Sequence, residues 1–538
     1  MTTPKRNNRL GLPSAALVGV LAAASALAAG HLAAGLIAPR SSPYLAVGNT
    51  AIDLTPQPVK SMAIDLFGTA DKVALLVGMA LVMLLLAVAA GMLSRRGPVP
   101  GMVLIGLVGL VGMAAAAAQD LGPLGLVAPV LATLAGVGAF DFLHRATRAR
   151  AASPAERRSP ENDAATPGDI DEQHAERAGG DSGSTGRRRF LMSSATVAVA
   201  AGAAGFGGQV LADRKGVRAS RQAVGPLVPA RRAPTIPPGA DFTKSGTPPF
   251  ITPNPDFYRI DTALSVPQVG TEDWHLRVHG MVEKELNWTF DDLMRRRLVE
   301  KTITMTCVSN PVGGPYISTA NFIGVPLRDV LLEAGVRPGA EQVFSTSVDG
   351  FTAGTPVDAL LDPDRGALLA VSMNGTPLPA EHGFPVRMVT PGLYGYVSAT
   401  KWLTDLELTT WDKRTYWEER GWAERAPIKT QSRIDTPLGF GKVPAGRVTV
   451  AGIAWAQTVG IARVEVRADG GPWKDAQLAD PVNIDTWRMW RTELDLSPGG
   501  HTIECRATDR SGYTQTPERV PVVPDGATGW HSVFFTAT

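Results

Sequence analysis

Cysteine is almost absent: Cys307 and Cys505 are the two thiols in 538 residues. They fall in stretches read below as different domains, so no disulfide framework is expected. So low a count alone fits a reducing compartment, but the topology argued below outweighs it. No CxxCH motif occurs, so no haem attachment is expected. Basic charge is not concentrated either. Lys and Arg number 52 against 50 Asp and Glu, with no basic stripe, so nucleic acid is not an expected partner. Regular β-α-β spacing is missing from the second half, which argues against a doubly wound sheet.

What is present divides unevenly. Residues 1–145 are rich in Ala, Leu, Gly and Val, whereas residues 240–538 have the mixed composition of a soluble protein. Four apolar runs, Ser14–Ala38, Val73–Leu93, Gly101–Ala118 and Leu124–Leu143, approach or exceed the roughly 20 residues that cross a bilayer. Lys5, Arg6 and Arg9 precede the first, Arg95 and Arg96 separate the second and third, and Arg145, Arg148 and Arg150 follow the fourth. The positive-inside rule puts all three clusters, and the N-terminus, in the cytoplasm. His31 and Asp141 are the ionisable residues at or near membrane depth, and His31 has no histidine counterpart in another span for a bis-histidine haem. The expected plan is a four-span membrane domain over 1–145 and a disordered cytoplasmic linker over 146–185.

Residues 186–212 follow as a signal or anchor helix. Gly186-Arg-Arg-Arg-Phe-Leu191, leading into a weakly apolar run, is similar to a twin-arginine export signal with Arg187 and Arg188 as the pair. A plain fifth span with a basic flank gives the same topology. No clean small-x-small cleavage site follows, so the helix is expected to stay as an anchor. A Pro-rich spacer over 213–250 then leads to an outward-facing soluble half.

Within that half, Lys301–Gly314 reads as a strand entering a tight loop. Ile303, Met305 and Cys307 alternate with Thr302, Thr304 and Thr306, so Cys307 ends the apolar face. Asn310, Pro311, Gly313 and Gly314 turn the chain away. A thiol there is either a small buried hydrophobe or a soft metal ligand. A second group, His382 to Arg387 and Thr390 to Trp402, collects an imidazole, a guanidinium, an ammonium, hydroxyls and glycines. That mixture suits a phosphate or a polar heterocycle, and it also occurs in ordinary surface loops. Trp274–Val278 is a strand signal, and Phe290–Arg297 and Leu327–Ala334 are helical ones, the first capped by Thr289. Val448–Ile453, Ile461–Ala468, Met489–Leu496, His501–Thr508 and Val520–Val523 read as sandwich strands, with Cys505 in the core.

Thr306-Cys-Val-Ser-Asn310, Ile317–Leu327, Met373–Leu378, His382–Arg387, Thr400-Lys-Trp402 and Gln431–Pro437 together resemble the sulfite oxidase family of molybdopterin enzymes, from Ile251 to the C-terminus. The resemblance implies an α+β molybdopterin domain (251–440) followed by an immunoglobulin-like β-sandwich (441–538) of the kind that often forms homodimers. It implies a molybdenum–molybdopterin cofactor with Cys307 as the metal ligand. It implies pterin and phosphate contacts from His382, Arg387, Ser398, Thr400, Lys401 and Ser347, and an entry segment of Phe257, Tyr258 and Arg259. Arg259 would be the cation for an oxyanion substrate.

Two departures bear on the substrate. Family members carry basic residues after the Asn that follows the metal cysteine; here Pro311-Val-Gly-Gly314 is uncharged. Asp261 stands where a histidine is common. The expected function is therefore a membrane-anchored oxidoreductase, sulfite dehydrogenase-like, acting on a small oxyanion or oxide and exchanging electrons with a separate partner. Reduction of an S- or N-oxide such as methionine sulfoxide is one alternative. A tethered, non-catalytic binding domain is another, disfavoured by the presence of Cys307.

Overall fold

The computed structural model describes residues 9–37, 41–56, 59, 62, 66, 71–118, 122–152, 192–205 and 217–538. These form two compact units, Met1–Lys215 and Gly216–Thr538. The expected linker over 146–185 is helical in its first residues, 146–152, where the preceding apolar helix runs on; its remainder and the arginine pair lie outside the described residues.

The first unit contains helices α1 Leu12–Ile37, α2 Pro43–Leu54, α3 Asp71–Leu93, α4 Val99–Ala117, α5 Val127–Ala152 and the shorter α6 Met192–Gly205. Four of them, α1, α3, α4 and α5, are long and apolar enough to cross a membrane, matching the four expected runs within a few residues at most ends. The fourth runs on past the expected Leu143. Its Asp141 is held by Arg145 one turn later, at 3.0 Å from Nε. Small residues set the helix contacts. A Cβ on Gly19 would fall 1.9 Å from the Ala87 carbonyl oxygen, and one on Gly91 the same distance from that of Ala15. Glycine is what permits such backbone approach.

The second unit opens with α7 Val217–Val224. The expected spacer is not a free tether. Val217, Ala240, Phe242 and Phe250 are buried in the cores of this unit. Ten strands follow: β1 His275–Gly280, β2 Leu286–Thr289, β3 Val299–Thr306, β4 Ile317–Pro326, β5 Gln342–Ser347, β6 Thr352–Pro356, β7 Leu368–Met373, β8 Thr376–Pro377, β9 Arg387–Val389 and β10 Leu403–Thr409. One sheet has the order β2-β1-β10-β5-β6; the other is β3-β4-β7-β8, with β9 on β7. Only the β1–β10 pair is parallel, as expected of an α+β domain rather than a doubly wound one. Short helices join the strands. Phe290–Met294 starts with a capping box between Thr289 and Asp292, and Leu327–Ala334 has the expected bounds.

The C-terminal region is β-rich. β11 Gln431–Thr436, β13 Gly446–Trp455, β17 Arg488–Leu496 and β16 Gln477–Leu478 form one sheet. β12 Lys442–Val443, β19 His531–Ala537, β18 Gly499–Asp509, β14 Ile461–Ala468 and β15 Lys474–Asp475 form another. Val450 and Trp490 of the first meet Ile503, Cys505 and Phe535 of the second in one core. Cys505 is thus a core thiol, pushed up to about 12 by burial. Val520–Val523, expected as a strand, makes only an isolated bridge between Val520 and Thr528.

β3 alternates as its sequence requires, yet both of its faces are buried. The threonine face is covered by the C-terminal region. Trp487 N–H donates to Thr304 Oγ1 at 2.7 Å. Gln457 Nε2 donates to the Thr304 carbonyl at 3.2 Å and to Thr306 Oγ1 at 3.1 Å. Asn483 Nδ2 reaches the Thr302 carbonyl at 3.0 Å. Lys301 Nζ pairs with Asp485 at 2.8 Å. Threonine fits here because a β-branched residue suits a strand and its hydroxyl can bond a neighbouring backbone.

Candidate active site

Cys307 sits where β3 ends, 8% exposed. Its N–H still donates to the Tyr316 carbonyl at 3.0 Å, so strand geometry persists to the thiol. The turn behind it is closed by Asn310, whose Oδ1 accepts from Tyr316 N–H at 2.8 Å. Gly313 has φ +78°, and a Cβ there would lie 2.2 Å from the His531 ring. That position needs glycine both for its backbone angle and for space. Arg433 Nη1 donates to the Gly314 carbonyl at 2.8 Å. The uncharged loop after the cysteine is therefore pinned from the C-terminal region.

The thiol faces an open cleft of about 840 Å³, counted out to its mouth. Seven of the expected site residues line it: Phe257, Tyr258, Cys307, Ser347, His382, Arg387 and Lys401. Sequence segments from Phe257 to Lys401 converge because β3, β5, β9 and the turn at Ala380–His382 meet around one opening. His382 Nε2 donates to the Asn254 carbonyl at 3.1 Å, and its ring meets Phe257 edge-on at 5.4 Å between centroids. Arg387, 4% exposed, donates to the carbonyls of His382 at 3.2 Å and Ala399 at 3.3 Å. No carboxylate pairs with it among the described residues.

Three expected residues do not line the cleft. Ser398 turns its hydroxyl to the carbonyls of Leu393 and Tyr394, both at 3.0 Å. Thr400 bonds Ser345 at 2.7 Å in the interior. Arg259 points its Nε at Asp261, 2.8 Å away, with its side chain 41% exposed. The same Asp261 oxygen takes Lys401 Nζ at 2.8 Å.

Burial dominates the electrostatics. It pulls Lys401 down to about 8 against the opposing pull of Asp261. It lowers Arg387 to about 10. His382 is lowered to about 4 by burial and by the neighbouring Arg387, so it is neutral at pH 7. Burial also raises the Cys307 thiol, opposed by hydrogen bonds from the Ser309 backbone and side chain. Tyr258 is raised by burial first and by Cys307 second, and stays a neutral phenol.

Sequence reasoning missed one wall. Tyr396, Trp417 and Trp422 line the cleft, with Tyr396 and Trp417 within 6.0 Å of Trp422 between ring centroids. Tyr396 stood inside a quoted segment, and the two tryptophans five residues apart were the signal for the rest. Ser309, Asp349 and Phe351 also line it. Away from the cleft, His279, Asp405 and Glu407 come together, but Glu407 is held by Lys413 and His279 by Asp405 at 3.0 Å.

The donor set fits an anionic cofactor with a soft metal. A buried guanidinium without a carboxylate calls for an anion, and a thiol at the end of a rigid strand offers a soft ligand. Residues 263–417 match the family model described as oxidoreductase molybdopterin binding domain. The chain is 32% identical over 334 residues to sulfite oxidase of Gallus gallus, covering 52% of this chain and 72% of that protein. It is 31% identical over 319 residues to mitochondrial sulfite oxidase of Macaca fascicularis, covering 50% of this chain but 58% of that one. Among solved structures, a sulfane dehydrogenase from Paracoccus pantotrophus aligns with 22% identity and a TM-score of 0.48, over 56% of this chain and 85% of that one. By its identity to the chicken protein and the molybdopterin domain around Cys307, the chain belongs to the sulfite oxidase family of molybdopterin-dependent oxidoreductases.

Proposed function

We propose that this protein is a membrane-anchored molybdenum oxidoreductase that oxidises sulfite or a similarly small sulfur oxyanion on the outer face of the cell membrane. One observation carries the reading: the Cys307 thiol and the uncompensated Arg387 guanidinium line the same cleft. The cofactor, when bound, supplies two-electron oxo transfer. The chain's part is holding and orienting. Cys307 ligates the metal as a thiolate, its charge favoured by the Ser309 hydrogen bonds. Arg387 and Lys401 hold the cofactor phosphate or the substrate anion. His382 and Tyr258 remain neutral, so they add hydrogen bonds without charge. Tyr396, Trp417 and Trp422 exclude water from one side, which strengthens every polar contact inside.

The wider setting belongs to the same proposal. Four long apolar helices and flanking arginines support a multi-pass anchor with the N-terminus in the cytoplasm. The two-sheet C-terminal core supports an immunoglobulin-like sandwich, and a homodimer through it is part of the same proposal. Electrons leave to a separate carrier.

A second reading is favoured by Asp261. Its single carboxylate is shared by Lys401 and Arg259 and offsets one of their two charges, and the loop after Cys307 adds no cation. A less positive cleft suits an uncharged S- or N-oxide, and the direction is then reductive. Purified full-length protein from a molybdopterin-competent host is assayed for molybdenum, for sulfite oxidation with an artificial acceptor and for sulfoxide reduction with a viologen donor. Sulfite turnover supports the first reading and sulfoxide turnover the second. Protein without molybdenum defeats both.

A further inference from the structure

The helical unit contains a crevice that anchoring does not require. α1 and α3 touch closely at Ala15, Gly19, Ala87 and Gly91, where glycine admits a backbone carbonyl. Beyond Ala87 they part, and an opening of about 1060 Å³ runs between α1, α3 and the start of α2. Its walls are aliphatic, with Val20, Leu27, Met83 and Leu84 among them. Three polar residues line it: His31, Ser42 and Tyr44. The Tyr44 hydroxyl is already given to the Leu76 carbonyl. Ser42 is the N-cap of α2, yet its side chain makes no cap hydrogen bond. Among the described residues, neither His31 nor Ser42 has a side-chain hydrogen-bond partner. The chain next to each comes close because Gly30, which precedes His31, has no side chain. A Cβ there would lie 3.2 Å from Pro43, the residue after Ser42.

An unpaired imidazole costs free energy in an apolar setting unless something polar meets it. His31 lies six residues from the end of α1, ~9 Å along the helix axis, so bulk water is not its natural partner. The crevice thus combines an aliphatic lining with two hydrogen-bond donors, His31 and Ser42, that have no partner among the described residues. We propose that it binds the ring of a lipid-soluble quinone, whose carbonyl oxygen accepts from His31 and from Ser42. The methylene chains of lipid fill apolar space equally well but offer no acceptor along their length. A quinone takes up two electrons and two protons to become the quinol, the same electron count as the oxo transfer proposed above. Binding rests on residues of this unit alone and does not need that reading to be right.

The test uses the full chain in lipid nanodiscs, with a short-tailed 1,4-naphthoquinone titrated and bound ligand measured against empty nanodiscs. Saturable one-to-one binding is expected, weakened about tenfold in His31→Leu through loss of one hydrogen bond to a buried acceptor. Ala24→Phe, which narrows the crevice and keeps His31, is expected to weaken it as well. If His31→Leu does not insert, Ala24→Phe decides. Non-saturable partition, or equal binding in the wild type and in the inserted variants, overturns the proposal and leaves the crevice to lipid. Because binding is read directly, a failed oxidation assay does not affect the outcome.

Discussion

The carboxylate of Asp261 holds the ammonium of Lys401 at 2.8 Å inside the wall of the cleft. Lys401 is lowered to about 8, so its charge is present below that pH and lost as pH rises through it. The KM for an anionic substrate is therefore expected to climb above about pH 8. In Asp261→Asn the partner that sustains the charge is gone, and the climb is expected to begin at lower pH. Lys401→Met should abolish it. A profile that is the same in all three proteins disproves the role of this pair.

Cys307 and Arg387 are expected to separate chemistry from retention. Cys307→Ala should reduce turnover by more than the ~10–100-fold typical of losing an outer partner of a metal site, while much of the pterin stays bound. Arg387→Met should lose the pterin instead, and Arg387→Lys should retain an intermediate amount, since a point charge replaces a bidentate fork. Pterin fluorescence and molybdenum content after gel filtration measure both. Full turnover in Cys307→Ala contradicts its assignment as the ligand.

His382 and His531 are both lowered to about 4, chiefly by burial. An unfolded imidazole titrates near 6.5. Between these values the unfolded chain holds more protons, so stability is fully present above about pH 6.5 and is lost as pH falls toward 4. Each contributes at most about 3 kcal/mol across that window. Denaturant midpoints measured from pH 7 to 4 should fall, and less steeply in His531→Gln. An equal fall in both proteins rules out His531 as a source.

Gln457 is buried and donates twice to β3. Truncation to Ala leaves the Thr304 carbonyl and Thr306 hydroxyl short of a donor, at a cost of about 1–3 kcal/mol. Gln457→Glu should cost at least as much, because it places a charge in the interior. Urea unfolding of the full chain, followed by tryptophan fluorescence, reads the cost. All the tryptophans lie in the second unit. An unchanged midpoint in both variants shows that this contact carries no stability.

The sequence made some of this legible and hid the rest for physical reasons. Periodicity placed β3 and ended it at Cys307. Long apolar runs located the four helices, and alternation found most C-terminal strands. Period two, however, marks only which residues share a face. It did not reveal that the threonine face of β3 is covered, because Thr also suits an exposed strand. The spacer looked extended because proline is extended, and Ala240, Phe242 and Phe250 were too few to signal that they pack. Ser398 and Thr400 matched the expected motif, yet their hydroxyls meet interior groups. Motif spacing gives proximity along the chain, not direction. The aromatic wall was missed because Trp417 and Trp422 sit in a loop, where no periodicity applies.

The covered face of β3 has a consequence for how this protein can be cut and recombined. A boundary drawn near residue 440 separates two sequence patterns but not two self-sufficient objects. A fragment ending there would open Thr302, Thr304 and Thr306 to solvent and strip His531 from beside Gly313, leaving Arg433 as the hold on the Gly313–Gly314 turn. Exchanging the C-terminal region for that of a relative requires carrying Gln457, Asn483, Asp485 and Trp487 with it. The strand bearing the thiol is shared property of both parts, and they must be inherited together.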